Sequence, residues 1–137
     1  MELVNAKDNY GQTALYKAAY WGKDSKKVIE LLVQNGADIN AKDNNGNTPL
    51  HEAVSDGQDK DVIKYLIANG ASINAQNKAG ETPLHEAING FIWKIKKEDM
   101  VKFLIANGAD VNIRDDDGKT PLDKAMWLIT LSVSLSF

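Results

Sequence analysis

Two dipeptides of this chain, His51-Glu52 and His85-Glu86, carry the residue types of a zinc-hydrolase helix. In that motif two histidines at i and i+4 hold the ion, and the glutamate between them serves as base. Here the i+4 places are Ser55 and Asn89, so both ligand pairs are incomplete. The acid-rich turns invite a calcium test. With Gly46 in the place of the EF-hand glycine, Asp43, Asn45 and Glu52 fall at ligand positions, yet the leading ligand would be Ala41. The turn Asp115-Asp116-Asp117-Gly118 fails at both ends, with Ile113 first and Lys124 last. Plainer roles account for these groups: imidazoles bonded to nearby backbone and a threonine hydroxyl, and carboxylates that close turns. The sequence contains no phosphate-cradling glycine loop and no nucleophile elbow. It has no cysteine for a thiolate ligand or a disulfide. No catalysis, metal or cofactor is expected.

The histidines sit at the same place in a recurring phrase. Asp43-Asn44-Asn45-Gly46-Asn47-Thr48-Pro49-Leu50-His51 returns as Asn77-Lys78-Ala79-Gly80-Glu81-Thr82-Pro83-Leu84-His85. Looser copies begin at Asp8 and Asp115, and the phrase glycines lie 35, 34 and 38 residues apart. A second phrase keeps step: Asn35-Gly36-Ala37-Asp38-Ile39-Asn40, Asn69-Gly70-Ala71-Ser72-Ile73-Asn74 and Asn107-Gly108-Ala109-Asp110-Val111-Asn112. Two phrases recurring in register mean one supersecondary unit, stacked. The chain resembles the ankyrin-repeat family, whose unit runs to about 33 residues around T-P-L-H-x-A. That resemblance implies an all-α dominated solenoid of stacked helix-turn-helix units with projecting β-hairpin fingers. The chain then divides into a half finger (1–7), three repeats (8–42, 43–76 and 77–114), and a partial fourth with an apolar tail (115–137).

Each part of one unit has a physical task. Asp43-Asn44-Asn45-Gly46 is a turn, closed by Asx chemistry and by a glycine free to take positive φ. Thr48 caps a helix and Pro49 opens it without sacrificing a hydrogen bond, which predicts a helix over about 49–55. Val62, Ile63, Leu66 and Ile67 make a wide apolar stripe on a second helix, about 60–68, that Gly70 ends. Such helices are too short to stand alone in water, so the copies must bury one another's faces. The alternating segment after each helix reads as a β-hairpin arm joining two units.

Departures from the pattern are local. Ala14 and Tyr16 replace the proline and histidine in the first unit, which weakens that helix start. Asp123 takes the histidine place in the fourth. Lys17, Glu52, Glu86 and Lys124 occupy equivalent places, so unlike charges are expected to face each other across two unit boundaries and like charges across one. Extra length falls in the loop around Phe91-Ile92-Trp93-Lys94-Ile95-Lys96-Lys97. The stretch 125–137 is uncharged and ends in strict alternation. It is expected to fold back as a cap, with self-association through it as an alternative. Membrane contact is disfavoured, because thirteen residues are too few to span a bilayer core as a helix.

With 16 basic and 19 acidic side chains, the net charge of −3 gives no footprint for nucleic acid. The first residues carry no basic and apolar leader pattern, so a cytoplasmic location is expected, export by a non-classical route aside. The resemblance implies a non-catalytic module that binds an unidentified protein on its concave face and finger tips. Carried onto this sequence, the contact positions are Tyr10, Gln12, Tyr20 and Trp21 in the first unit. The second offers Asn44, Asn45, Asn47, Ser55 and Asp56, and the third Lys78, Glu81 and Asn89. The aromatics are the expected anchors, since truncating an interface Trp or Tyr removes the most affinity. A second reading makes the chain a structural fragment of a longer array or effector, without its own binding partner.

Overall fold

The computed structural model describes residues 2–21, 25–55, 60–89 and 97–126. Asp56, residues 91–96 of the aromatic loop and residues 127–137 of the tail lie outside them. Helices come in pairs: α1 (Ala14–Tyr20) with α2 (Ser25–Gln34), α3 (Pro49–Ser55) with α4 (Lys60–Ala68), and α5 (Pro83–Asn89) with α6 (Lys97–Ala106). A last helical stretch covers 121–126. Each first helix packs on its second, and α3 packs on both α1 and α5. The result is a single row of helix pairs, a helical repeat solenoid.

The core follows from the phrase. Leu15, Leu50 and Leu84 are fully buried between successive first helices, and Ile29, Ile63, Leu66 and Leu104 seal them from the second helices. Burying one such side chain is worth about 1.5–3 kcal/mol, which helices of 7–10 residues need in order to persist. Ala18, Ala53 and Ala87 are also fully buried, and their small size lets neighbouring helices approach.

Helix ends match the sequence reading. Gly36, Gly70 and Gly108 take φ of 93°, 102° and 103°. The residue after each donates its amide to a carbonyl one turn back: Ala37 to Leu32 at 3.0 Å, Ala71 to Leu66 at 2.9 Å, Ala109 to Leu104 at 3.0 Å. This is the Schellman closure. Thr13 Oγ1 still accepts from the Tyr16 amide at 3.2 Å, so the cap of α1 survives the loss of proline and histidine.

The fingers differ from the β-hairpins expected. No strand forms among the described residues, and Glu2–Asn5, expected as half an extended arm, is a turn of 3-10 helix. The reason lies in the Asx residue that opens each turn. Asp43 Oδ1 accepts amides from Asn45 and Asn47, both at 2.9 Å, and one backbone bond from Asp43 to Asn47 closes the loop. Asp8, Asn77 and Asp115 do the same. Side-chain bonds thus replace the ladder a hairpin would extend.

Tips bond to tips instead. The Asn44 amide donates to the Tyr10 carbonyl at 2.9 Å, Lys78 to Asn45 at 3.0 Å, and Asp116 to Ala79 at 2.9 Å. Gly46, at φ 77°, lets this happen: a Cβ there would lie 2.8 Å from the Lys78 nitrogen. Gly118 has the same φ, 76°, and an added Cβ meets nothing within 4 Å. Gly118→Ala should therefore cost about 1 kcal/mol, for backbone strain alone. Gly46→Ala should cost about 2–4 kcal/mol, because the next turn must also shift. Urea unfolding of the two variants measures the difference.

Candidate protein-interaction surface

The histidines are structural. His51 is buried, its Nδ1 accepts the Thr48 amide at 3.1 Å, and its Nε2 lies 2.9 Å from the Glu81 carbonyl of the next unit. An amide only donates and a carbonyl only accepts, so the ring must be the neutral Nε2–H tautomer. His85 repeats this with Thr82 and the Lys119 carbonyl at 3.1 and 2.9 Å. Burial pulls His51 below its ordinary 6.5, although the bond to Glu81 opposes the shift. In the first unit Tyr16 takes over: its hydroxyl donates to Glu52 Oε2 at 3.0 Å. Burial, then the Glu52 charge, hold that phenol well above its ordinary range. In the fourth, Asp123 accepts from the Thr120 amide at 3.0 Å and its own amide donates to Thr120 Oγ1 at 3.1 Å, a reciprocal cap.

The charged row departs from the pairing expected of it. Lys17 pairs within its own unit, with Asp8 at 2.8 Å. Lys124 bridges units, but to Glu81 at 2.8 Å and to Asp115 of its own turn at 3.1 Å. Burial lowers Lys124, and the bonds to Glu81 and Asp115 more than offset it, so the ammonium is held above 10.5. Glu86 keeps less help. Burial raises its carboxyl above 4.5, the Glu81 and Glu52 charges add to the rise, and Lys124 opposes it. The like-charged pair is where the sequence put it.

The surface positions sort into two groups. Tyr10, Tyr20 and Trp21 are 70%, 62% and 66% exposed. Asn45 and Lys78 are also exposed, while Gln12 and Ser55 are half-buried. Asn44, Asn47, Glu81 and Asn89 are hydrogen-bonded to their neighbours, Asn44 and Asn89 while still exposed. Asn44 Nδ2 donates to the Asn9 carbonyl at 2.9 Å, and Asn47 Oδ1 accepts from Asn77 at 2.9 Å. Glu81 holds Asn89 at 2.7 Å as well as Lys124. An open groove of about 550 Å³ runs between the second and third fingers, past Asn40, Lys42, Thr48 and Asn74. Among the described residues no group of acids and histidines could hold a metal ion, and no helix is long and apolar enough to cross a membrane.

Sequence reasoning missed the asparagine clamp. Asn5, Asn40 and Asn74 each donate Nδ2 to the glycine carbonyl ending the next second helix, at 3.1, 2.9 and 3.2 Å. Their Oδ1 atoms accept from Asp38, Ser72 and Asp110 two residues on, at 2.7–2.8 Å. The signal was present: the asparagine ends every copy of the second phrase.

A family model described as "Ankyrin repeats (many copies)" matches residues 2–53 and 32–87, and one described as "Ankyrin repeat" matches 79–116. The chain belongs to the ankyrin-repeat family. No curated protein matches it. Ankyrin repeats are in general protein–protein interaction modules and are typically non-catalytic, and the buried imidazoles here fit that rule, since both ring nitrogens of each are spoken for.

Two ionisable positions give opposite pH slopes. His51, with a folded pKa below 6.5, contributes stability that is complete above 6.5 and is lost as pH falls toward the folded value. Glu86, raised above 4.5, contributes stability that is complete below 4.5 and lost as pH rises through its folded value. Glu86→Gln should raise the melting temperature at pH 7 by about 1–3 °C and give no advantage at pH 4. His51→Ala should cost about 2–4 kcal/mol at pH 7, since the Thr48 amide and Glu81 carbonyl lose their partner. Thermal melts across pH check both.

Proposed function

We propose that this ankyrin-repeat chain is a non-catalytic module that binds a partner protein chiefly through Tyr10, Tyr20 and Trp21, with Asn45 and Lys78 at the neighbouring tips setting register. The observation that carries the reading is the exposure of all three aromatics on one repeat, at 70%, 62% and 66%. The later units have Asn45, Ala79 and Asp117 in the place of Tyr10, and Ser55 and Asn89 in the place of Tyr20, while Trp127 takes that place in the fourth. Packing therefore does not require an aromatic at either position. A Trp or Tyr left in water by the fold becomes an anchor when a partner covers it. The alternative, Trp21 as a cap over the end of the stack, is disfavoured by its 66% exposure. The repeat division at 8, 43, 77 and 115, a cytoplasmic setting, and a partner that is neither nucleic acid nor membrane belong to the same proposal. The charge of −3 supports the exclusion of nucleic acid.

Trp21→Ala should weaken partner binding by about ten-fold or more, with the melting point unchanged within about 0.5 kcal/mol of stability. Partners captured by the wild-type chain, then titrated against Trp21→Ala in a calorimeter, test this. Equal affinity of the two chains, or a large loss of thermal stability in the variant, overturns the reading.

A further inference from the structure

The last unit repeats the stacking groups of the first three with nothing seated on them among the described residues. The phrase leucine is 0%, 0% and 1% exposed as Leu15, Leu50 and Leu84, but 62% exposed as Leu122. A Cβ on Gly11, Gly46 or Gly80 would lie 2.8–2.9 Å from an amide nitrogen of the following turn, whereas one on Gly118 meets nothing within 4 Å. Asn112, the fourth member of the clamp series, is exposed and bridges to no further finger among the described residues.

What fits this face follows from what fits the other three. It takes a finger with an amide donor at its tip, backbone groups for the asparagine, and a first helix to cover the leucine. Residues 127–137 contain no glycine, asparagine or aspartate, so they lack the residues from which this chain builds every tip. The first finger has them. Asn9 stands where Asn44, Lys78 and Asp116 stand, and Leu3 where Asp38, Ser72 and Asp110 stand. Asn44, Lys78 and Asp116 each donate to the preceding tip, while Asn9 is exposed with no preceding tip beside it among the described residues. Leu3 is exposed as well.

We propose that the open face of the last unit receives the first finger and α1 of a second copy of this chain, in the register of the internal stack. The Asp117 carbonyl then accepts from the second copy's Asn9 amide, Asn112 clamps the second copy's backbone at Leu3, and its α1 covers Leu122. The contact joins two different faces, so each joined pair still offers one of each and the copies assemble head to tail.

Sedimentation velocity of the 137-residue chain over a concentration series tests this, with circular dichroism to confirm helicity. The wild type should grow beyond the monomer as concentration rises. Leu122→Arg blocks the last face. Asn9→Pro removes the tip donor at the second position of a turn, where proline is well tolerated. Each variant alone should associate at least about ten-fold more weakly. An equimolar mixture should form heterodimers and stop there, because each variant retains the face that the other has lost. Should Leu122→Arg lose helicity, Asn112→Lys blocks the same face. A wild type that stays monomeric throughout, an Asn9→Pro chain that associates as before, or a mixture that remains monomeric would overturn the proposal.

Discussion

The constraint on which this fold rests is a backbone amide that finds its acceptor only on the turn before it. Asn44, Lys78 and Asp116 each reach back about 3 Å to the previous tip, and each such bond contributes about 0.5–1.5 kcal/mol. The approach is close enough to forbid a side chain on the earlier turn, which is why Gly11, Gly46 and Gly80 recur. Once the tips are tied, the spacing between units is set, and the first helices can bring Leu15, Leu50 and Leu84 together. Hydrophobic burial supplies most of the stability, but the tips decide the register in which it is collected.

A second set of bonds reinforces that register from inside. Each unit sends one side chain from its first helix to the next: Tyr16 to Glu52, His51 to the Glu81 carbonyl, His85 to the Lys119 carbonyl. The chemistry differs while the task is the same. A neutral imidazole suits the two inner boundaries because it can accept from its own threonine and donate across at once. A phenol has one proton to donate, and at the first boundary Tyr16 gives it to a carboxylate rather than a carbonyl. The fourth unit turns the same position inward, where Asp123 caps its own helix.

Much of the architecture was legible because it is local. Thr-Pro starts and Gly ends put α3 and α4 at their observed bounds, since caps are decided by the residues beside them. Hairpin fingers were not legible. Alternation in Ala71-Ser72-Ile73-Asn74 is a weak strand signal, and the Asx oxygen at each turn outcompetes the ladder for the same amides. The surface was half legible. Tyr10, Tyr20 and Trp21 stand out by type, and most of the equivalent places in the other units carry small or polar residues, so packing does not bury them. Asn44, Asn47 and Glu81 looked like variable tips, yet a polar side chain on a tip also lies within reach of the adjacent unit. Which of two polar neighbours it bonds depends on the spacing between units, and sequence spacing alone carries no such distance.

If the chain binds a partner as proposed, that outcome narrows the surface on which recognition would depend. Polar tips already bonded along the stack are poor contributors to binding, because a partner must replace a good hydrogen bond with another and gains little in the exchange. Their fixed geometry still matters, since a rigid rim loses little conformational entropy when covered. Affinity then has to come from side chains the stack leaves unspent, and large exposed aromatics bring the most contact area per rotatable bond. Tyr20 and Trp21 end α1, held by Leu15 and Ala18 in the core, while Tyr10 sits on a turn closed by Asp8. Each is mounted on backbone that the neighbouring unit has already fixed. On the proposed reading, the stacking that makes the fold also prepares those rings, and recognition in the first repeat would depend on the integrity of the second.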